Sequence, residues 1–225
     1  MKYTYYGHSC FSVQFGEKTL LFDPFISGND LAKDIDINSI KADYIFVSHG
    51  HSDHTGDLEK IGLNNSAIII GAYEIAVWAG NKGLKYHPMN LGGKWQFDFG
   101  TVKCVNAVHS SVLPDGTYGA NAMGFVVSDD NQAFYYAGDT ALTMDMQLIP
   151  RYKKIDLAIL PIGDNFTMGI EDAVQAAKMV NTDKVIGVHY DTFGYIKIDK
   201  TSAYNAFDHA GMRLYLPAIG ESIVF

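Results

Sequence analysis

A chain of 225 residues is long enough for a large α/β domain that buries well over half of its unfolded surface, so no external staple is required. Its 17 basic and 25 acidic residues leave a formal net charge of −8, which repels polyphosphate backbones and weighs against a nucleic-acid substrate. Cys10 and Cys104 are too few for a disulfide framework and stand in no zinc-type pair, so both read as buried thiols of a reducing compartment.

From Met1 to Cys10 there is neither an apolar leader segment nor a small-residue cleavage site, and no later window approaches a membrane-spanning run. A soluble cytoplasmic protein is expected. Short apolar or alternating runs predict strands over 10–15 and 19–22, the second ending at Asp23, and over 44–47, ending at Ser48 and His49. A strand over 67–70 leads into a helix over 73–79, Gly92 and Gly93 mark a turn, and a strand over 102–108 ends at His109. Strands over 123–127 and 133–136 form a hairpin around Asp129, Asp130 and Asn131, and Asp139 follows the second. A helix is expected over 143–152, with the basic cluster Arg151, Lys153 and Lys154 as its solvated end. Then come a strand over 157–160, a loop from Pro161 to Gly169, and a helix over 170–180 whose first-turn Glu171 and Asp172 suit the positive helix end. A strand over 185–188 ending at His189, a helix over 201–210 and a strand over 214–216 complete the chain. No Pro/Gly/Ser-rich linker interrupts it, so residues 1–225 read as a single domain with strand pairs ahead of helices in each half.

Five of these strands deliver a histidine or aspartate at their carboxyl end: Asp23, His49, His109, Asp139 and His189. One histidine after a strand is more often structural than functional, but a rigid ladder fixes where the next residue points, and five coordinated cases reverse the weighting. The densest cluster is His-Gly-His-Ser-Asp-His at 49–54, three imidazoles and a carboxylate in six positions of a chain with eight histidines. Neutral imidazole and carboxylate are what zinc and similar divalent metals take as ligands.

His49, His51, Asp53 and His54 match the His-x-His-x-Asp-His signature, and the chain thereby resembles the metallo-β-lactamase superfamily. Gly7-His8-Ser9, Phe22-Asp23-Pro24-Phe25, His109-Ser110-Ser111, Gly138-Asp139-Thr140, the run from Pro161 to Met168, and His189-Tyr190 are similar to the small metal-dependent hydrolases related to L-ascorbate-6-phosphate lactonase. The resemblance spans essentially the whole chain. It implies an α/β fold, an αββα sandwich of two mixed sheets with external helices, carrying a binuclear centre at one edge. His49, His51 and His109 would hold one metal, Asp53, His54 and His189 the other, and Asp139 would bridge them. A hydroxide shared by the two ions would attack the substrate, with Asp53 holding it in orientation. Di-iron members commonly carry glutamate where this chain has His51, so zinc is expected, with manganese, iron or nickel as other occupants.

In that family Asp23 supports the ligands from behind, against the simpler reading of a turn-forming Asp-Pro. His8 is either a substrate-contacting proton donor or structural. His87 and His209 lack a strand-end context and read as structural or surface residues. Asp164, Asn165 and Thr167 either contact substrate or cap the following helix, while Phe166 and Met168 suit a pocket wall or core packing. The function expected is hydrolysis of a small ester, lactone, thioester or phosphodiester, with lactones or phosphorylated sugars favoured by resemblance. The rival readings are an RNase Z-like nuclease, opposed by the acidic balance, and a metal-binding or sensor protein without turnover. The partner is a small-molecule substrate, with neither nucleic acid nor membrane expected and homo-oligomerisation left open.

Overall fold

Short runs of apolar or alternating side chains make the strands of this chain. In the computed structural model, which describes residues 1–225, fourteen strands make two seven-stranded sheets. The chain divides into two compact units, one of residues 1–90, 110–122 and 217–225, the other of 91–109 and 123–216.

The first unit holds β1 (Lys2–Gly7), β2 (Cys10–Phe15), β3 (Lys18–Phe22), β4 (Tyr44–Phe46), β5 (Ile68–Ala72), β6 (Lys85–Met89) and β14 (Ser222–Val224) in the order β14-β1-β2-β3-β4-β5-β6. Pairings from β14 to β3 are antiparallel and those from β3 to β6 parallel. Helices α1 (Ser52–Thr55), α2 (Leu58–Asn65) and α3 (Tyr73–Gly80) lie in the connections. A ladder of buried rings crosses the sheet: Tyr3 on Phe11 at 5.0 Å, Phe11 on Phe22 at 4.7 Å and Phe22 on Phe46 at 4.6 Å between centroids, the last two nearly coplanar. Phe11 and Phe22 are direct cross-strand partners, as are Phe22 and Phe46. Such pairs each contribute roughly 0.2–1 kcal/mol, and a one-residue slip would turn every ring outward, so the ladder sets the register. It thereby fixes where β3 and β4 stop, directly before Asp23 and three residues before His49.

The second unit holds β7 (Lys94–Phe97), β8 (Gly100–Asn106), β9 (Met123–Ser128), β10 (Ala133–Tyr136), β11 (Leu157–Pro161), β12 (Lys184–Val188) and β13 (Arg213–Tyr215). Its order runs β13-β12-β11-β10-β9-β8-β7, antiparallel from β7 to β10 and parallel from β10 to β13. Both sheets therefore share one pattern, three antiparallel pairings followed by three parallel ones. The β9–β10 turn is built as the sequence suggests, with Asp129 Oδ1 accepting from the backbone N–H of Asn131 and Gln132 at 2.8 and 2.9 Å. Helices here are α4 (Ile149–Tyr152), α5 (Ile170–Met179) and α6 (Lys200–His209). α5 buries Ala173, Ala176 and Ala177 in a cluster with Tyr135, Leu160, Val185 and Phe207, small residues that let the helix approach closely.

Four strands, β1, β6, β7 and β14, and the helices α1 and α2 lie outside the elements expected from sequence. The helix expected over 143–152 is instead a 3-10 turn, Met144–Leu148, followed by α4 with proline in its first turn, because Pro150 has no N–H to continue an existing helix but fits a new start. β8 ends at Asn106, so His109 stands on the loop beyond it. Both cysteines are buried and neither is in a disulfide; burial pushes the Cys10 thiol up and the Cys104 thiol up to about 12, so neither is a ready nucleophile. No helix is long and apolar enough to cross a membrane.

Candidate metal centre

In the first unit, everything turns on Asp23. It follows β3 in a left-handed conformation, φ 41°, and its N–H donates to the Phe46 carbonyl on the neighbouring strand at 2.9 Å. The fully buried carboxylate accepts from the Ser48 N–H at 2.7 Å and the Ser48 hydroxyl at 2.6 Å, and lies 2.9 Å from His54 Nδ1. A carboxylate only accepts, so His54 Nδ1 carries the hydrogen and Nε2 keeps its lone pair. The same logic reaches His49. Ser48 Oγ has one hydrogen and gives it to Asp23, so at 3.0 Å from His49 Nδ1 it accepts, which again leaves the lone pair on Nε2. Asp23 Oδ2 thus sets the tautomer of two imidazoles, one directly and one through Ser48, while Oδ1 holds the Ser48 N–H.

His49 Nε2 meets His51 Nδ1 at 2.9 Å, two ring nitrogens aimed at one point. His51 ends the extended segment, and α1 is a single turn folded on its carbonyl, which accepts from the N–H of His54 and Thr55 at 3.0 and 3.1 Å and from the Thr55 hydroxyl at 3.0 Å. That turn brings Asp53 Oδ2 to 3.8 Å from His54 Nε2. His8 joins them. It sits between β1 and β2 with φ 54°, almost wholly buried, its Nε2 3.2 Å from Asp53 Oδ2 and its ring edge-on to Phe25 at 5.7 Å.

In the second unit, Asp139 Oδ2 lies 2.9 Å from His189 Nε2 and 3.6 Å from His109 Nε2, one carboxylate oxygen between two imidazoles. Thr140 secures this grouping from three sides: its hydroxyl accepts from the Val108 N–H at 2.9 Å and donates to the Ala141 carbonyl at 2.7 Å, and its carbonyl accepts from the Met168 N–H at 2.9 Å. His189 follows β12 with φ 58°. Left-handed backbone costs an L-residue roughly 1–2 kcal/mol, and three candidate site residues, His8, Asp23 and His189, adopt it. Donor chemistry and tautomer both suit a divalent metal.

A model described as the Beta-lactamase superfamily domain matches residues 18–190. A UPF0173 metal-dependent hydrolase of Christiangramia forsetii is 54% identical over 224 residues, 99% of each chain. The chain belongs to the UPF0173 metal-dependent hydrolases of the metallo-β-lactamase superfamily. Igni18, a metallo hydrolase of Ignicoccus hospitalis, is 32% identical and superposes with a TM-score of 0.90, covering 100% of this chain and 97% of its own. The metallo-β-lactamase fold protein YhfI of Bacillus subtilis, at 16% identity, shares the fold with a TM-score of 0.75 over 99% of both chains. This UPF0173 hydrolase therefore has the metallo-β-lactamase fold and is metal-dependent.

Two further residues of this UPF0173 hydrolase tie its loops together: Asp57, which carries no signal in the sequence, and Ser111, which stands in the His109-Ser110-Ser111 string. Asp57, buried just past the signature, accepts from the N–H groups of Ile26 and Ser27 at 2.6 and 2.8 Å while its own N–H donates to the Pro24 carbonyl at 2.9 Å. It thus ties the loop that follows Asp23 to the end of α1. Ser111 accepts from the Gly50 N–H at 3.0 Å and donates to the Gly119 carbonyl at 2.5 Å, strapping 110–122 to the signature loop. The hollow of about 630 Å³ lined by Lys154, Asp156, Lys178 and Lys184 opens at the amino ends of β11 and β12, the opposite end from His189, and contains no candidate ligand.

Proposed function

We propose that this chain hydrolyses a small ester, lactone, thioester or phosphodiester, a lactone or phosphorylated sugar being favoured by family resemblance, with two divalent ions, zinc foremost. His49, His51 and His109 would hold one ion, Asp53, His54 and His189 the other, and Asp139 would bridge them, the two units serving one catalytic domain. When bound, the ions polarise the scissile group and lower the pKa of water toward neutrality.

The observation that carries this reading is the Asp23 relay, which leaves the Nε2 lone pairs of His49 and His54 as ligand atoms. A histidine retained for packing needs no tautomer control. The Asp139 carboxylate between His109 and His189 supports the same reading, since a bridging ligand must present oxygen to more than one partner. Protein prepared with supplied zinc is expected to carry close to two ions per chain by elemental analysis and to lose turnover on chelation. A content near zero after such loading would sink the two-ion reading. A parallel screen of lactones, thioesters, phosphodiesters and a short RNA identifies the bond cleaved.

Within the site the Asp53 carboxylate, an acceptor, would orient the attacking water, and His8, whose Nε2 lies 3.2 Å from Asp53 Oδ2, would deliver a proton to the departing oxygen. His8→Ala is expected to lower kcat by roughly a hundredfold to ten-thousandfold on an alkyl ester, far less on an activated nitrophenyl ester, with zinc content unchanged. Equal losses on both would reassign His8 to positioning, and no loss on either would make it structural.

A further inference from the structure

Two loops of the second unit leave the carboxyl ends of β11 and β12, and both are tied to the candidate ligands of that unit. The first, residues 162–169, is held by the Ile162 N–H on the Val188 carbonyl at 3.1 Å and by the Met168 N–H on the Thr140 carbonyl at 2.9 Å, so it is pinned beside His189 at one end and Asp139 at the other. Inside it, the Asp164 N–H donates to the Met168 carbonyl at 3.1 Å and the Asn165 N–H to Asp164 Oδ1 at 2.8 Å, with φ 61° and 54° at those two residues. The second loop starts at His189. The Asp191 N–H donates to the Ile196 carbonyl at 2.8 Å, Asp191 Oδ1 accepts from the Ile198 N–H at 3.1 Å, and Lys200 Nζ lies 3.5 Å from Asp191 Oδ2 and over the Tyr190 ring.

Each loop already has its apolar anchor. Met168 is buried in the first, and Tyr190 and Ile196 in the second. Phe166 and Tyr195, 50% and 79% exposed, are therefore not needed to seat the loops, yet their rings meet edge-on at 6.2 Å. A rigid, crosslinked backbone that holds an aromatic pair in water is preorganised for recognition. Two partly exposed rings offer on the order of 200 Å². A stable protein interface needs about 800 Å² per partner, so the pair matches one ring-sized substituent of a small molecule.

We propose that Phe166 and Tyr195 form a recognition rim selecting substrates that carry a neutral aromatic group. The proposal rests on the hydrolytic reading above, because the rim belongs to the loops that hold Asp139 and His189. Edge-to-face contact satisfies the electropositive rim and electronegative face of each ring, and it rewards an aromatic group over an aliphatic one of equal area.

The test is calorimetric binding of 3-phenylpropanoate and 3-cyclohexylpropanoate, product-like acids of matched size, to zinc-prepared protein and to the Phe166→Ala/Tyr195→Ala double variant. The parent is expected to prefer the aromatic acid by about threefold or more, and the variant to bring that ratio to about unity with zinc content and far-UV spectrum unchanged. Equal or undetectable binding of the two acids by the parent, or a ratio that survives in the variant, overturns the proposal. Because binding is read without turnover, the two readings fail separately. A ring preference in a protein that cleaves no member of the substrate screen would retire the hydrolytic reading alone, while turnover of phenylpropanoyl and cyclohexylpropanoyl thioesters at equal kcat/KM would retire the rim alone.

Discussion

Replacing Asp23 by alanine is expected to lower the stability of the metal-free protein by roughly 3–5 kcal/mol and to abolish tight metal binding. Its carboxylate is fully buried and serves three donors, the Ser48 N–H, the Ser48 hydroxyl and His54 Nδ1–H, all themselves buried. Truncation leaves each donor in a dry environment, where a lost partner costs about 1–3 kcal/mol; the three losses share one site, so they do not sum in full. A loss of that size is a large part of the 5–15 kcal/mol typical of a folded domain. Asp23→Asn separates stability from chemistry, because asparagine tolerates the left-handed backbone and keeps one acceptor oxygen, while its NH2 must face either the Ser48 N–H or the two donors on Oδ2, which disturbs the relay whichever way the amide turns. It is expected to remain folded and to lose about tenfold to a hundredfold in zinc affinity. Urea midpoints measured in chelator give the first quantity and competition with a chromogenic chelator the second. An alanine variant within about 0.5 kcal/mol of the parent would mean the relay does not stabilise the fold.

Gly163→Ala is expected to cut turnover by a hundredfold or more and to cost about 1–3 kcal/mol in stability. A Cβ built on Gly163 would stand 2.0 Å from the carbonyl oxygen of His189 and 3.0 Å from Ile196 Cβ. The first obstacle is backbone, which cannot rotate away, so the 162–169 loop and His189 must separate. His189 begins from a strained conformation, and displacing a proposed metal ligand by about 1 Å is enough for the loss stated. Gly194→Ala, in the loop that follows β12, is the matched control. Its Cβ would meet nothing within 4 Å, so stability should stay within about 0.5 kcal/mol of the parent. The comparison is read as kcat/KM and thermal midpoint of the two variants side by side, and equal behaviour would refute the steric argument.

The parts of the chain whose sequence betrayed them are those where chemistry or burial leaves no alternative residue type. Residues 49–54 announce a metal site by density, and buried strands such as β11 and β12 are legible as unbroken apolar runs. Edge and near-edge strands are not. β6 reads Lys-Tyr-His-Pro-Met, mostly exposed and interrupted by Pro88, and β7 is exposed over three of its four residues, so neither shows an apolar face. α1 and α2 were hidden because residues 51–57 are candidate ligands and the Asp57 tether rather than an apolar face, which masks helical periodicity. Asp57 was invisible for a different reason: its partners are Ile26 and Ser27, about thirty positions away, and only the folded chain brings them to its carboxylate. Asp23 was legible through its strand-end position and family string, whereas the serine that extends its reach to His49 was not.

The left-handed backbone at His8, Asp23 and His189 has a consequence for how this protein can be altered. Glycine would relax each of these positions and would delete the group that the position exists to display. Durability and chemistry are thus set against each other at three places by backbone geometry alone. A heat-resistant descendant retaining the hydrolytic centre would gain its margin on exposed sites such as Gly194 or Leu63, while these three residues remained as they are.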